Sequence, residues 1–175
     1  GQTCVCANRI YVQDKVYDAF AQKLATEVKK MKVGAGTEEG VTTGPLINKA
    51  AIEKVEEHVA DALKKGAKVV LGGKRHPRGG NFYEPTILGN VTSEMLVARE
   101  ETFGPVAPLF KFKTEADVIA QADKISPPDS DDIFNHTFED MPADLLKQRD
   151  VRQTHSIGLN PEEIGLRPQH EEAAR

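Results

Sequence analysis

Two thiols near the start of the chain are the residues with the clearest chemical potential. Cys4 and Cys6 are the only cysteines among 175 residues, and a single residue separates them. A cysteine acts as a nucleophile in its thiolate form, so its neighbours must lower the pKa of the thiol. Cysteines without such neighbours usually serve as small buried apolar side chains. The role of Cys4 therefore has to be inferred from residues elsewhere in the chain.

The spacing of the two cysteines admits two other kinds of chemistry. A closed zinc site needs four ligands, and the remaining candidates are five histidines without paired spacing: His58, His76, His136, His155 and His170. We therefore expect no metal site, and we expect His58, which lies off the apolar stripe of its helix, to be solvated. Positions i and i+2 share one face of an extended strand, so Cys4 and Cys6 could instead form a strained, reversible disulfide.

A pair of carboxylates forms the second segment with chemical potential. Glu100 and Glu101 come directly before a rigid turn, Phe103-Gly104-Pro105, that leads into an apolar strand. Most acidic pairs are simply exposed to solvent. A carboxylate at such a turn can also accept hydrogen bonds from sugar hydroxyls, as acidic residues do in nucleotide sites.

Composition narrows the class of protein. Hydrophobic residues make up 39% of the chain and charged residues 29%, which supports a sizeable core but not one over the whole length. The net charge of −4 gives no reason to expect nucleic acid or an anionic membrane as partner. A run of about 18 apolar residues, as a membrane span requires, is absent from the sequence. Two closely spaced cysteines favour a reducing compartment, and hence a cytoplasmic location.

Three helices must position these segments. Asp14 is predicted to cap a helix over residues 15–31, and Asn48 a helix over residues 49–65 that stops at Gly66. A capping box beginning at Thr114 predicts a third helix through residue 121 or beyond. The first apolar stripe is Val16, Phe20, Leu24 and Val28, with Met31 close to it; the second is Ile52, Val55, Val59 and Leu63.

Strands are predicted between these helices. They are residues 9–12, a buried strand over 67–71, an extended stretch over 82–88 and an apolar strand over 106–112. Pro85 favours an edge or an irregular path for the third, and Pro108 interrupts the fourth. Helices that alternate with strands predict an α/β layer structure with a largely parallel sheet.

The composition changes after residue 123. From Lys124 to the end, five prolines fall in 52 residues, and acidic residues outnumber basic ones by 11 to 6. Residues 142–153 could form one short helix, but the rest of this tail shows no apolar period and reads as solvated. We therefore divide the chain into a folded part, residues 1–123, and a poorly ordered tail, residues 124–175.

The order and spacing of several motifs resemble the aldehyde dehydrogenase superfamily, over residues 1 to about 122. The Cys4-Val5-Cys6-Ala7-Asn8-Arg9 stretch is most similar to its succinate-semialdehyde dehydrogenase branch. The other matching motifs are Gly1-Gln2-Thr3-Cys4, Thr43-Gly44-Pro45-Leu46, Gly66-Ala67-Lys68, Gly72-Gly73, Phe82-Tyr83-Glu84-Pro85-Thr86 and Glu100-Glu101-Thr102-Phe103-Gly104-Pro105.

This resemblance implies a role for each matching residue. Cys4 stands where the family has its nucleophile, which attacks an aldehyde carbon to give a thiohemiacetal and, after hydride transfer to NAD or NADP, a thioester. Its backbone N–H would contribute to the oxyanion hole. Glu101 stands where a carboxylate holds the nicotinamide ribose, and Phe103 where an aromatic ring packs near the nicotinamide. Cys6 matches a second cysteine of the branch.

The resemblance also implies what these 175 residues lack. The family's dinucleotide-binding domain, its general-base glutamate, its oxyanion-hole asparagine and its substrate arginines precede the nucleophile, and the tail after residue 122 departs from the family pattern. We therefore expect an aldehyde oxidoreductase, with succinic semialdehyde as substrate and a homo-oligomeric complete protein, whose isolated 175-residue chain is inactive. The alternatives are a non-catalytic remnant that associates with full-length subunits, and a thiol redox module that uses Cys4 and Cys6.

Overall fold

The computed structural model describes Gln2, Thr3, residues 6–124 and residues 156–159. Its strands are β1 (Arg9–Gln13), β2 (Lys68–Leu71), β3 (Thr86–Val91), β4 (Val106–Phe112) and β5 (Ser156–Leu159). Its α-helices are α1 (Tyr17–Val28), α2 (Lys49–Lys64), α3 (Leu96–Arg99) and α4 (Glu115–Lys124), and a 3₁₀ turn, Asp14–Val16, precedes α1.

The strands form one mostly parallel sheet in the order β2-β3-β4-β1-β5. β1 pairs in parallel with both β4 and β5, and β3 pairs in parallel with β4, whereas β2 is antiparallel to β3. The predicted α/β class with a largely parallel sheet is therefore confirmed.

Helices cover both faces of this sheet. Because successive side chains of a strand point to opposite faces, neighbouring residues of each inner strand join different apolar clusters. Tyr11, Leu88 and Phe110 pack with α2, and partly buried residues of α4 lie against the same cluster. Val12, Ile87 and Leu109 pack with α1 on the other face. The molecule thus has three layers, and α2 packs both on the sheet and on the turn that follows α3.

Helix α2 begins as predicted but buries a rotated face. The Asn48 side chain accepts a hydrogen bond from the Ala51 N–H at 2.9 Å, which confirms the cap. Leu63 is 42% exposed, whereas Ala62 and His58 are buried. Each residue advances about 100° around a helix. Burial of Ala62 in place of Leu63 therefore means that the buried face of α2 is rotated from the predicted stripe toward His58. The prediction of a solvated His58 is wrong.

Helix α1 is shorter than predicted. Asp14 lies in the 3₁₀ turn and does not cap the helix; the N-cap residue of α1 is Val16, and it makes no side-chain cap bond. The helix ends at Val28, and Met31 is 48% exposed because the chain turns away, with the Lys32 N–H bound to the Thr42 hydroxyl at 3.0 Å. The buried face also includes residues that the predicted stripe omitted: Tyr17, Ala21 and Ala25.

The strand predictions need three corrections. β2 is an exposed edge strand and not a buried one, because only β3 pairs with it among the described residues. The third strand begins four residues later than predicted, at Thr86, and it is interior; Pro85 precedes it. β4 continues through Pro108 without interruption, and the ladder that it forms with β3 shifts register between Leu88 and Val91.

The third predicted helix and the tail have different outcomes. Thr114 caps α4 by accepting a hydrogen bond from the Asp117 N–H at 3.2 Å, as the capping box predicts. Residues 142–153 lie outside the described residues. The division of the chain at residue 123 stays a prediction. Within the predicted tail, residues 156–159 form the strand β5, which pairs with β1.

Candidate active site

The turn over residues 100–104 connects α3 to β4 and alternates between exposed and buried residues. Glu101 is exposed and Phe103 is 39% exposed, whereas Thr102 is 8% exposed and Gly104 is buried. Glu101 and Phe103, the two residues expected to contact a cofactor, therefore both face solvent. Thr102 and Gly104 face the protein.

The backbone of this turn has an unusual conformation. Phe103 has a φ of +48°, which is rare for a side chain other than glycine and costs of the order of 1–3 kcal/mol. Gly104 packs so closely on α2 that a Cβ at that position would overlap the Val55 side chain. The Thr86 N–H donates to the Pro105 carbonyl at 2.8 Å, which ties the end of the turn to β3. The conformation is thus set by tertiary contacts.

A buried histidine of α2 meets the inner side of the turn. His58 is 1% exposed, and its Nδ1 lies 2.9 Å from the Thr102 hydroxyl. Its Nε2 lies 3.5 Å from a carboxylate oxygen of Glu100. A carboxylate only accepts hydrogen bonds, so the contact with Glu100 favours the neutral tautomer that carries its hydrogen on Nε2; in that tautomer Nδ1 accepts from the Thr102 hydroxyl. Burial, with a further contribution from Lys54, lowers the pKa of His58, whereas Glu100 acts in the opposite direction.

A second polar contact joins α2 to the same part of the chain. Asp61 lies three residues after His58, and its carboxylate accepts a hydrogen bond from the Leu96 N–H at 2.7 Å. The same carboxylate pairs with Lys65 at 2.7 Å. The hydrogen bond from Lys65 and the one from Leu96 lower the pKa of Asp61. One face of α2 therefore binds both the start of α3 and the turn that follows it.

The thiol segment is described only in part. Cys4, the predicted nucleophile, lies outside the described residues. Cys6 is half-buried, its Sγ lies 2.8 Å from the Thr3 hydroxyl, and its N–H donates to the Thr3 carbonyl at 3.0 Å. The hydrogen bond from the Thr3 hydroxyl is the first of several causes that lower the pKa of Cys6 to about 7.

The turn contains two of the predicted site residues and rests on two residues that were not predicted. The structure brings Glu101 and Phe103 to one exposed turn, and the resemblance did not point to the residues beneath them, His58 and Thr102. The apolar stripe of α2 gave no signal for His58, because the partners of its ring, Thr102 and Glu100, lie far away in the sequence. In the described ranges no group of three or more His, Cys, Asp or Glu could hold a metal ion. None of the described helices has the length and apolar character needed to cross a bilayer.

The model of the aldehyde dehydrogenase family matches residues 1–128. The chain therefore belongs to the aldehyde dehydrogenase family, a family of oxidoreductases that use NAD or NADP.

Known relatives agree with the branch that the motifs indicate. The chain is 66% identical to the NADP-dependent succinate-semialdehyde dehydrogenase of Escherichia coli (strain K12) over 122 residues. This match covers 70% of this chain and 25% of that protein. It is 64% identical over 122 residues to glutarate-semialdehyde dehydrogenase of Pseudomonas aeruginosa, with the same coverage. The crystal structure of succinate-semialdehyde dehydrogenase from Burkholderia pseudomallei matches with a TM-score of 0.69 and 61% identity, covering 70% of this chain and 25% of that one. The chain thus spans about a quarter of the length of the relatives it matches.

Proposed function

We propose that this chain supplies the nucleophile and part of the cofactor site of an NAD(P)-dependent aldehyde dehydrogenase that oxidises succinic semialdehyde to the acid. The observation that carries the proposal is the turn over residues 100–104, which exposes a carboxylate and an aromatic ring two residues apart. The assignment of the nucleophile rests on the match of Cys4 to the family motif. A homo-oligomeric complete protein and a cytoplasmic location belong to the same proposal.

Cys4 performs the covalent step in this proposal. Its thiolate forms a carbon–sulfur bond with the aldehyde carbon, and the carbonyl oxygen becomes the oxyanion of a thiohemiacetal. The backbone N–H of Cys4 donates to that oxygen. Oxidation of the carbon leaves a thioester, and attack by water releases the carboxylic acid and returns the thiol.

The exposed residues of the turn fit a nicotinamide nucleotide. The Glu101 carboxylate would accept hydrogen bonds from ribose hydroxyls, and the Phe103 ring would pack near the nicotinamide. NAD or NADP bound there would supply the hydride acceptor, and so the two-electron oxidation that turns the thiohemiacetal into the thioester. The protein's part is to hold the cofactor at a fixed place beside the thiol.

The names of two relatives support the proposed substrate class. The E. coli relative is named for succinic semialdehyde and the Pseudomonas aeruginosa relative for glutaric semialdehyde. These aldehydes differ by one methylene and both end in a carboxylate. One methylene typically changes discrimination between substrates by about 10–200-fold. We propose succinic semialdehyde as the preferred substrate, with glutaric semialdehyde as its nearest competitor.

Binding of nicotinamide mononucleotide tests the cofactor site, because this ligand contains only the ribose, the nicotinamide and one phosphate. We expect its titration into the isotopically labelled chain to shift the amide resonances of Glu101 and Phe103. Glu101→Gln should weaken binding about tenfold, since a charge-assisted hydrogen bond to the ribose is lost. The matched control, Glu115→Gln, removes an exposed carboxylate in the first turn of α4 and should leave the affinity unchanged. Equal affinities for the three proteins would contradict the proposal.

The 175-residue chain assayed alone is predicted not to reduce the nucleotide. Loss of the general base and loss of the second oxyanion donor each lower the rate by about 10² or more. The measurement is the formation of reduced nicotinamide from NADP and succinic semialdehyde. Reduction that disappears in Cys4→Ala would overturn the prediction of inactivity while supporting Cys4 as the nucleophile.

A thiol redox function is the second candidate, favoured by the Thr3 hydroxyl that lies 2.8 Å from the Cys6 Sγ and is the first cause lowering the pKa of that thiol to about 7. A thiol with this pKa is substantially ionised at neutral pH and reacts readily with oxidants. Counting free thiols before and after mild oxidation distinguishes the two functions. Loss of both thiols in a monomer, reversed by a reductant, would support a reversible Cys4–Cys6 disulfide.

A further inference from the structure

His58 is a buried polar residue that the proposed chemistry does not use directly. Its ring is 1% exposed, and a histidine withdrawn from water needs partners for both ring nitrogens. Both partners, Thr102 and Glu100, belong to the turn that carries Glu101 and Phe103. Since Thr102 lies 44 positions after His58, this contact forms only in the folded protein.

We propose that His58 is a positioning residue that holds residues 100–104 in the conformation in which Glu101 and Phe103 face the nicotinamide cofactor. This role rests on the function proposed above. It extends that function to a residue on the opposite side of the turn from the cofactor.

The alternation of the turn explains how one contact orients two side chains. Thr102 lies between Glu101 and Phe103, so a bond that fixes Thr102 toward the protein directs both neighbours outward. Phe103 has a left-handed backbone conformation, which persists only where the surrounding structure enforces it. His58 provides the constraint before Phe103, and the close packing of Gly104 on Val55 provides the one after it.

Helix α2 is a rigid support for this contact. Ile52, Val55 and Val59 are buried in the cluster beneath the helix. Asp61 binds the N–H of Leu96, so the helix also fixes the segment that enters the turn. Three side chains of α2, at positions 55, 58 and 61, therefore contact the chain between residues 96 and 104.

Amide hydrogen exchange on the full 175-residue chain tests the positioning role without any need for activity. His58→Leu should raise the exchange rates of the amides at 101–104 by about tenfold, the effect of losing one buried hydrogen bond. His58→Asn places an amide where Nδ1 was and should return the exchange rate at Thr102 toward that of the unsubstituted chain. The matched control, His76→Leu, removes a histidine from the loop between β2 and β3 and should leave these amides unchanged.

A second variant reaches the same bond from the turn, in case the substitution in α2 disturbs the helix. Thr102→Val removes the hydroxyl and should raise exchange at 101–104 as His58→Leu does, whereas Thr102→Ser should not. The affinity for nicotinamide mononucleotide should fall in His58→Leu and Thr102→Val and recover in His58→Asn and Thr102→Ser.

The possible outcomes separate this inference from the function on which it rests. Failure of the unsubstituted chain to bind nicotinamide mononucleotide would contradict the proposed function, and with it the positioning role. Binding that survives His58→Leu at full affinity would contradict the positioning role alone. Unchanged exchange at 101–104 in both His58→Leu and Thr102→Val would also overturn it.

Discussion

The two segments that carry the proposed chemistry are held in different ways. The turn over residues 100–104 is fixed by contacts with α2 and β3, which are distant in sequence. Cys6, in the thiol segment, is held by Thr3, three residues away. Long-range contacts depend on the whole fold, whereas local ones survive its loosening. The cofactor side of the site should therefore be sensitive to core substitutions, and the thiol side should respond mainly to its own neighbours.

Overpacking beneath the turn should give the largest effect. Gly104→Ala introduces a Cβ that overlaps the Val55 side chain, and valine is too stiff to move aside easily. We expect a loss of about 2–3 kcal/mol in the free energy of unfolding, measured by urea denaturation. Gly36→Ala is the control, because nothing lies within 4 Å of the added Cβ there. The double variant Val55→Ala/Gly104→Ala should lose less stability than the sum of the two single variants; additive losses would show that the strain has another source.

Removal of the buried hydroxyl should have the next largest effect. Thr102→Val preserves the shape of the side chain but leaves Nδ1 of His58 without a donor, which should cost about 1–2 kcal/mol. Urea denaturation measures this cost, with the exposed Thr37→Val as the control. A loss no larger than that of the control would show that the contact between Thr102 and His58 does not stabilise the turn.

Protonation of His58 should weaken the fold at low pH. Burial places the pKa of His58 in the folded state below its ordinary value of 6.5. As the pH falls, the unfolded chain therefore binds this proton at a higher pH than the folded chain does. The contribution of neutral His58 to the free energy of unfolding is fully present above pH 6.5 and decreases as the pH drops below it. Glu100 from the turn and Glu57 from the same helix oppose the shift, whereas Lys54 increases it.

Denaturation curves on both sides of that pH, compared with those of His58→Leu, measure this contribution. The difference in unfolding free energy between the two proteins should shrink as the pH falls. A difference independent of pH would contradict the buried, neutral state of His58.

The thiol segment should show only a local effect. Thr3→Val removes the hydroxyl that stabilises the Cys6 thiolate, so the pKa of Cys6 should rise from about 7 toward its ordinary value of 9.0. The pH dependence of alkylation by iodoacetamide, followed for each cysteine by mass spectrometry, measures this shift. The unfolding free energy should stay unchanged. A comparable loss of stability would show that this segment, too, depends on the rest of the fold.

The sequence predicts local features of this fold better than long-range ones. The Asn48 cap and the Thr114 capping box are properties of three or four consecutive residues, and both are confirmed. The apolar residues Val69 and Val70 predicted a buried strand, yet they are exposed because β2 lies at the edge of the sheet. Strand order is not encoded in the strand itself.

The candidate site shows the same limit. Glu101 and Phe103 follow from a local motif, whereas the burial of His58 depends on Thr102, which lies 44 residues away. Histidine is intermediate between the buried and the exposed residue types, so only the partner could reveal this position. The rotation of α2 that exposes Leu63 has the same origin, since packing of the whole helix decides which arc is buried.

Addition of the aldehyde to the thiol is the most direct test of the central claim, that Cys4 is the nucleophile of an aldehyde dehydrogenase. Succinic semialdehyde labelled with ¹³C at the aldehyde carbon should give, with the 175-residue chain, a tetrahedral carbon resonance of a thiohemiacetal. The account predicts that this resonance disappears in Cys4→Ala and persists in Cys6→Ala. A resonance that persists in Cys4→Ala and disappears in Cys6→Ala would contradict it.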